Sequence, residues 1–318
     1  MRQGFVIGLG SGLVSAVLFF SAARGGPWLG LLLFLLTPLP PLLAGLGWGW
    51  LPAAAGALAG SAAMAVVASM ALGLGYFLVV GLPAAVIAYL AYLSRPSNDA
   101  PDGREWYPAG RLLAAMSLYA GALPVLALPS TGGSFDSLRP LAAEMVRAAF
   151  KQSGDMRLQA PTDEQVGAIA DLIIAVAPGA LAVYWLLIMT PNLYLAGRIV
   201  GASGHLARNW PDLPALAYPT GFALLLGLAL LAAAYAPGAL GIAGTSFTGA
   251  LLFAHLLAGL ALVHFLARRG ARWLLWVVYA GLLMPVLAPY AAVLVTAAGL
   301  FEPVLRLKQR LGAAPPSS

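Results

Sequence analysis

The sequence predicts an all-α, polytopic membrane bundle of about eight to ten transmembrane segments, some broken by proline or glycine. Three observations carry this. Apolar residues make up 61% of the 318 and charged residues only 9%, against about 25% in a soluble domain. Apolar runs of roughly 18 residues, enough to cross a hydrocarbon core of about 30 Å, recur along the chain. No mixed, charged stretch is long enough for a soluble domain. Residues 1–311 therefore read as one transmembrane domain, and 312–318, rich in Ala, Pro and Ser, as a disordered tail.

In chain order, the first span is expected over 5–20, uncleaved because the run exceeds a signal-peptide core. Gly8 and Gly12 lie four apart there, a spacing that lets two helices approach closely. The second span, 27–46, runs into the corner 37–50, T-P-L-P-P-L-L-A-G-L-G-W-G-W. Proline removes a helix hydrogen bond and clashes with the preceding turn. Pro38, Pro40 and Pro41 therefore argue against a regular helix through Leu42. In lipid the freed carbonyls need partners inside the protein or in a wet cavity, so the corner should face the bundle interior. Trp48 and Trp50 mark a membrane–water interface. Spans three, four and five are expected over 51–70, 74–93 and 112–128, with a polar loop at 94–111 that holds Asp99 and Asp102.

The longest polar segment is 129–165. Leu138, Leu141, Ala142, Met145 and Ala149 recur in it at helical spacing, with charges on the other side. It reads as an extracytoplasmic loop carrying an amphipathic surface helix. Thr162 to Gln165 then form a capping box that starts span six, 166–189, which Pro191 should end. A second polar loop covers 190–219. Spans seven and eight are expected over 220–235 and 246–267, separated by an uncharged turn, 236–245. The last apolar segment, 273–300, would be roughly 42 Å long as one helix, too long for one untilted crossing. Pro285 and Pro289 sit in its middle and should fold it into a hairpin or re-entrant pair.

Charge and composition narrow the function classes. The chain has no cysteine, which removes disulfides, thiolate nucleophiles and Cys-based metal sites. No HExxH and no His/Asp cluster stands at metal spacing, so no metal and no cofactor is expected. The net charge is +6, from 15 Arg and two Lys against 11 acids. Orientation by the positive-inside rule explains that excess. It places the N-terminus in the cytoplasm, with the loops around Arg95–Arg111, Arg198–Arg208 and Arg268–Arg272 on the same side. No basic cluster interleaves with aromatics, so nucleic acid is not a partner. Arg over Lys, with abundant Ala, Gly and Pro, suggests a GC-rich bacterial genome and hence the bacterial inner membrane.

Few residues could carry chemistry. Gly201-Ala-Ser-Gly204 is similar to the GxSG nucleophile motif of rhomboid intramembrane proteases, and His255 and His264 follow on an apolar helix. But Ser203 is followed by His205, Arg208, Trp210, Pro211 and Pro214, which describe a surface loop. A protease is the reading the sequence supports least, and no enzymatic activity is expected. Asp171 is the one carboxylate inside an apolar span, a costly placement that marks a functional candidate by default. Asn192 follows at the other end of that span, and His255 lies near the middle of span eight. Pro38, Pro40, Pro41, Gly45, Asp171, Asn192 and His255 are the candidate ligand-binding residues.

Three features together resemble the YybS-like family, bacterial multispanning membrane proteins with no assigned activity. They are the P-L-P-P-L-L-A-G-L-G-W-G-W corner, the helix end from Gly259 through His264 to Arg268, and the terminal G-L-F-E-P-V-L-R-L-K-Q-R from Gly299 to Arg310. The family usually shows an Asp in that terminal motif, where this chain has Glu302 nearest. The corner is also similar, more distantly, to the S components of energy-coupling-factor vitamin transporters. That likeness implies a small-molecule site near the extracytoplasmic side, covered by a loop such as 129–165. The function expected is a transporter-like small-molecule-binding subunit. The alternative is a membrane scaffold in envelope biogenesis or division. The expected partners are the lipid bilayer, a small-molecule ligand and other membrane subunits.

Overall fold

The computed structural model describes residues 2–22, 24–98, 103–152 and 161–312. Asp99, Asp102, the 153–160 part of the polar segment and the tail from 313 lie outside them. The described chain is an all-α bundle. Eight of its helical segments are long and apolar enough to cross a membrane, and two shorter apolar helices join them. The order is α1 (Arg2–Ala22), α2 (Pro27–Leu36), α3 (Leu39–Trp48), α4 (Trp50–Val67), α5 (Met70–Tyr76), a π-helical turn (Phe77–Gly81) and α6 (Leu82–Tyr92). Then come a two-stranded antiparallel ribbon, β1 (Ser94–Pro96) with β2 (Arg104–Trp106), and α7 (Ala109–Ala127), α8 (Arg139–Gln152) and α9 (Asp163–Ala202). Finally come α10 (Phe222–Tyr235), α11 (Gly238–Arg268), α12 (Trp273–Leu283), α13 (Ala288–Leu305) and α14 (Leu307–Arg310).

Two contacts organise the bundle. α1 lies on α4 through the expected glycine face: a Cβ at Gly12 would collide with the Gly56 carbonyl, and one at Gly8 with the Pro52 carbonyl. Such small residues let backbones touch where lipid supplies no hydrophobic drive. α11 is the central post of the other half, packed on α7, α9, α10 and α13. The largest core cluster joins the halves, with Leu42, Leu46, Ile87, Met116, Leu186 and Met189 among its buried members.

Helix alternation gives the bundle two faces. Trp48 stands 5.3 Å from His205, and Arg208 donates to the Ala91 carbonyl at 3.2 Å. Lys308 Nζ donates to the Leu216 carbonyl at 2.9 Å. The N-terminus, the α6–α7 and α9–α10 loops and α14 thus share one face, called near. The α1–α2, α4–α5 and α10–α11 turns and α8 lie at the far face. Arg2, Arg95, Arg104, Arg111, Arg198, Arg208, Arg268, Arg269, Arg272, Arg306, Lys308 and Arg310 are all at the near face.

Four expectations change. The corner does not stop the helix at Leu42: the break is at Thr37–Pro38, and α3 runs through Pro40 and Pro41. Both prolines fall in its first turn, where N–H groups have no intrahelical acceptor to lose. Pro191 does not end α9, which continues to Ala202. Beside it the Asn192 side chain donates to the Ile188 carbonyl at 2.7 Å, one residue along from the Leu187 carbonyl that Pro191 leaves without a donor. The 236–245 turn shrinks to two residues, because α11 starts at Gly238 behind Pro237. The 94–111 loop holds the ribbon, which the sequence did not suggest.

The last apolar segment is a helical hairpin. Gly281 faces Ala291, His264 lies 5.9 Å from the Tyr279 ring, and α13 leads back to the near face. α12, with 11 residues, is about 16 Å long, half the hydrocarbon thickness. The tip is exposed, with Leu283 81% and Val286 79% accessible. Pro285 and Pro289 remove two donors there, and the Met284, Leu287 and Ala288 amides bond within the turn. An irregular tip among apolar surroundings needs that economy.

Candidate functional site

The structure divides the sequence-predicted residues between a sealed corner and an open cavity. At the corner, two carbonyls left open where α2 gives way to α3 have a partner from another helix. Pro41 has no N–H for the Thr37 carbonyl, and the Ser15 hydroxyl donates there at 2.6 Å. The Leu35 carbonyl, at the end of α2, receives Asn192 Nδ2 at 2.7 Å. Gly45 lets Ala88 of α6 approach, with a virtual Cβ only 2.7 Å from the Ala88 Cβ. Pro38, Pro40, Pro41, Gly45 and Asn192 thus share one junction, whose polar groups bond to each other. Pro83 repeats the pattern in α6. It offers no N–H to Leu78 or Val79, and those carbonyls accept from the Tyr119 hydroxyl and from Trp185 Nε1, the latter at 2.8 Å. Tyr92 likewise donates to the Leu46 carbonyl.

Beside this junction, in the far half, lies an apolar cavity of about 290 Å³. Phe34, Pro38, Val80, Pro124 and Tyr184 are among its walls. Of the polar side chains that line it, Thr37 and Trp185 already donate to the Leu33 and Val79 carbonyls, and Tyr184 stacks on Phe34 at 6.2 Å.

The larger cavity, about 760 Å³, is at the near side, between the 212–223 loop, α10, α11 and α13 with α14. Its floor is His255, Ala258 and Gly299. α13 approaches so closely that a Cβ at Gly299 would strike the His255 carbonyl. His255 is buried, and its Nδ1 donates to the Leu251 carbonyl at 2.7 Å. A carbonyl only accepts, so Nδ1 carries a proton. The ring stacks on Phe222 at 5.6 Å, and Phe222 on Tyr218 at 4.7 Å. The Tyr218 hydroxyl donates to the Ala254 carbonyl at 2.9 Å, and burial pushes its phenol up.

The rim is charged. Arg268, Arg269, Arg306 and Lys308 line it against Asp212 and Glu302. Arg268 makes two bonds to Asp212, at 2.6 and 2.8 Å. Arg269 lies 5.0 Å from the Phe265 ring centre, a cation–π contact. Arg306 has φ 52°, the one positive φ at a non-glycine among the described residues. That left-handed turn is costly for a side-chain-bearing residue. It folds α14 back so that Lys308 reaches Leu216. Burial pushes the Lys308 ammonium below the usual lysine range, against the opposing pull of Glu302.

The model of a family described as predicted membrane protein (DUF2232) matches residues 13–302. The chain belongs to that family. The DUF2232 match covers the corner, the cavity floor and the rim as far as Glu302; Arg306 and Lys308 lie just past it. No curated protein and no solved structure matches the chain.

Other predicted positions stand apart. Asp171 is on the far-side extension of α9 and pairs with Arg139 of α8, both more than half exposed. Helix α8 packs along α9, and among the described residues none of those lining either cavity comes from 129–152 or 161–165. Ser203 follows α9 directly, and its hydroxyl donates to the Val200 carbonyl at 2.8 Å. Its nearest histidine is the exposed His205. The sequence reading missed Arg306, Lys308 and Tyr218 as site residues. The signal was the Glu302-to-Arg310 run, which had been read as a motif and not as a rim.

Proposed function

We propose that the chain is a transporter-like binding protein that takes up an amphipathic small molecule in the near-side cavity. One observation carries this: a cavity of about 760 Å³ with an aromatic and apolar floor and a charged rim. Its size falls within the range of small-molecule sites. The corner, by contrast, spends its polar groups on itself. The likeness of that corner to transporter S components supports the reading, with the ligand placed on the other face. The near-face excess of Arg and Lys supports a cytoplasmic near face in a bacterial inner membrane.

Ala223 lines the cavity and is exposed on the first turn of α10, so Ala223→Trp fills the space without entering the helix contacts. Delipidated protein should bind a twelve-carbon amphiphile by native mass spectrometry, and Ala223→Trp should abolish the adduct while leaving thermal unfolding unchanged. An adduct of undiminished intensity in the variant would place the ligand elsewhere and remove the proposal.

A further inference from the structure

The amphiphile reading leaves the head group open, and the following inference rests on it. We infer that the near-side cavity selects an amphiphile with a phosphate-like anionic head. The head sits among Arg269, Arg306 and Lys308, and the apolar body runs over His255 between α10 and α13.

The charge balance of the lining comes first. Four cations face two carboxylates, a surplus of two. The C-termini of α11 and α13 also point at the rim, each worth roughly half a negative charge, while the N-terminus of α10 contributes about half a positive one. The rim stays positive after these are counted. Partnering comes second. Among the described residues only Arg268 of the four has a salt bridge, to Asp212. Arg269 rests on Phe265, Arg306 makes no ion pair, and Lys308 spends its ammonium on one loop carbonyl. An ammonium has three donors, and guanidinium forks match phosphate oxygens.

Backbone geometry separates this from the plain explanation that the cations only orient the chain in the bilayer. Orientation needs charges near span ends, free in water. Here a left-handed residue, Arg306, turns the chain so that Lys308 is drawn into the cavity wall, where its charge is harder to hold. Strain of that kind clusters at ligand sites. The floor sets the other half of the ligand: Phe222, Ala258, Pro303 and the stacked His255 ring offer an apolar track.

The test uses delipidated full-length protein in a neutral maltoside detergent and three probes: dodecyl phosphate, dodecanol and inorganic phosphate. Dodecyl phosphate should bind at least tenfold tighter than either of the others. Arg269→Gln and Lys308→Gln should each weaken it roughly tenfold, the scale of one charged hydrogen bond. Lys308→Arg should restore most of that, and dodecanol binding should not change. Lys308→Met read against Lys308→Arg settles the matter if Arg269→Gln or Lys308→Gln misfolds. Equal affinity for dodecyl phosphate and dodecanol overturns the charge inference and leaves the amphiphile reading standing. No binding of either removes both. Inorganic phosphate as tight as dodecyl phosphate overturns the joint head-and-tail site. Competition by phosphatidylglycerol nanodiscs, but not by phosphatidylcholine ones, assigns the ligand to the membrane. Equal failure of both assigns it to a soluble lipid phosphate.

Discussion

The two halves of this bundle use the same residues to opposite ends. In α1–α6, glycines bring backbones into contact and prolines break helices, and four carbonyls left open around those breaks are capped by a side chain from a neighbour. Ser15, Asn192, Trp185 and Tyr119 are those caps. Around α11, glycines again bring α13 close, at Gly259 and Gly299, but the helices on either side are short. α10 has 14 residues and α12 has 11. α10 starts only at Phe222, beside His255, which leaves the near end of α11 uncovered on that side, and the loop and α14 roof it over with charged side chains. Proline and glycine in a membrane helix therefore do not mark a ligand site in themselves. What marks it is whether their neighbours have donors to spare.

The sharpest way to break this comparison is to force the sealed half open. Leucine at Gly12 must displace the Gly56 backbone, so α1 and α4 must part. Destabilisation by Gly12→Leu should reach about 3 kcal/mol, the upper end for overpacking, read as loss of the folded state in a detergent melt. Gly10 has nothing within 4 Å of its virtual Cβ, and Gly10→Leu should melt with the wild type. Equal effects of the two would mean that α1 does not lie on α4.

Asn192→Leu tests the capping rather than the packing. The buried amide loses bonds to Leu35 and Ile188 and leaves the Leu35 carbonyl without that donor. The expected cost is about 1–2 kcal/mol, the upper range for polar contacts between membrane helices. It should appear in an SDS-unfolding titration, and Ser15→Ala should fall below it. A neutral Asn192→Leu would show that the corner is held by packing alone, and the contrast between the halves would lose its basis.

Much of this was legible in the sequence, for physical reasons. Span existence follows from length and apolarity, so α1, α4, α7 and the hairpin at 285–289 could be read directly. Span ends were less legible. Whether Pro191 stops α9 depends on Asn192 and on neighbours that no local pattern reveals, and Pro40 and Pro41 read as breakers until their place in a first turn is known. Asn192 and the prolines meet at one junction, yet a sequence does not tell a satisfied polar group from a waiting one. Asp171 reads as lying inside a span when Pro191 is taken as the helix end, whereas α9, at 40 residues or roughly 60 Å, extends well beyond one bilayer thickness. The rim was missed because Lys308 and Arg306 come to Leu216 and Arg268 only through the left-handed turn.

Lys308 gives a smaller, pH-dependent effect. Its folded-state affinity for protons is below the ordinary 10.5. Between the lowered value and the ordinary one, the unfolded chain holds a proton that the native chain has released. Stability therefore rises with pH across that window. Lys308→Met should flatten this rise in the difference between wild-type and variant unfolding curves. Asp212, Glu302, Arg268, Arg269, Arg306, Tyr218 and His255 share the cavity and remain in both proteins, so the difference isolates Lys308. A difference falling with pH would mean that the ammonium is held by an anion already, and the rim would no longer count as open.

The smallest effect belongs to Asp171, which its place in an apolar span makes a functional candidate by default. Its partner Arg139 is 54% exposed and Asp171 itself 59%, and pairs of this kind are screened by salt and water. Arg139 has its guanidinium held above the usual range by that carboxylate, which is a local effect on the far side of the bundle. Asp171→Asn should leave the melt unchanged within error at 0.15 M salt, and dodecyl phosphate binding unchanged at every salt. A measurable loss of binding would tie the far-side extension of α9 to the near-side cavity along the length of the helix. In that case the two ends would have to be treated as one coupled device, and the contrast between a sealed scaffold and an open site would fail at α9, which packs on α3 in one half and on α11 in the other.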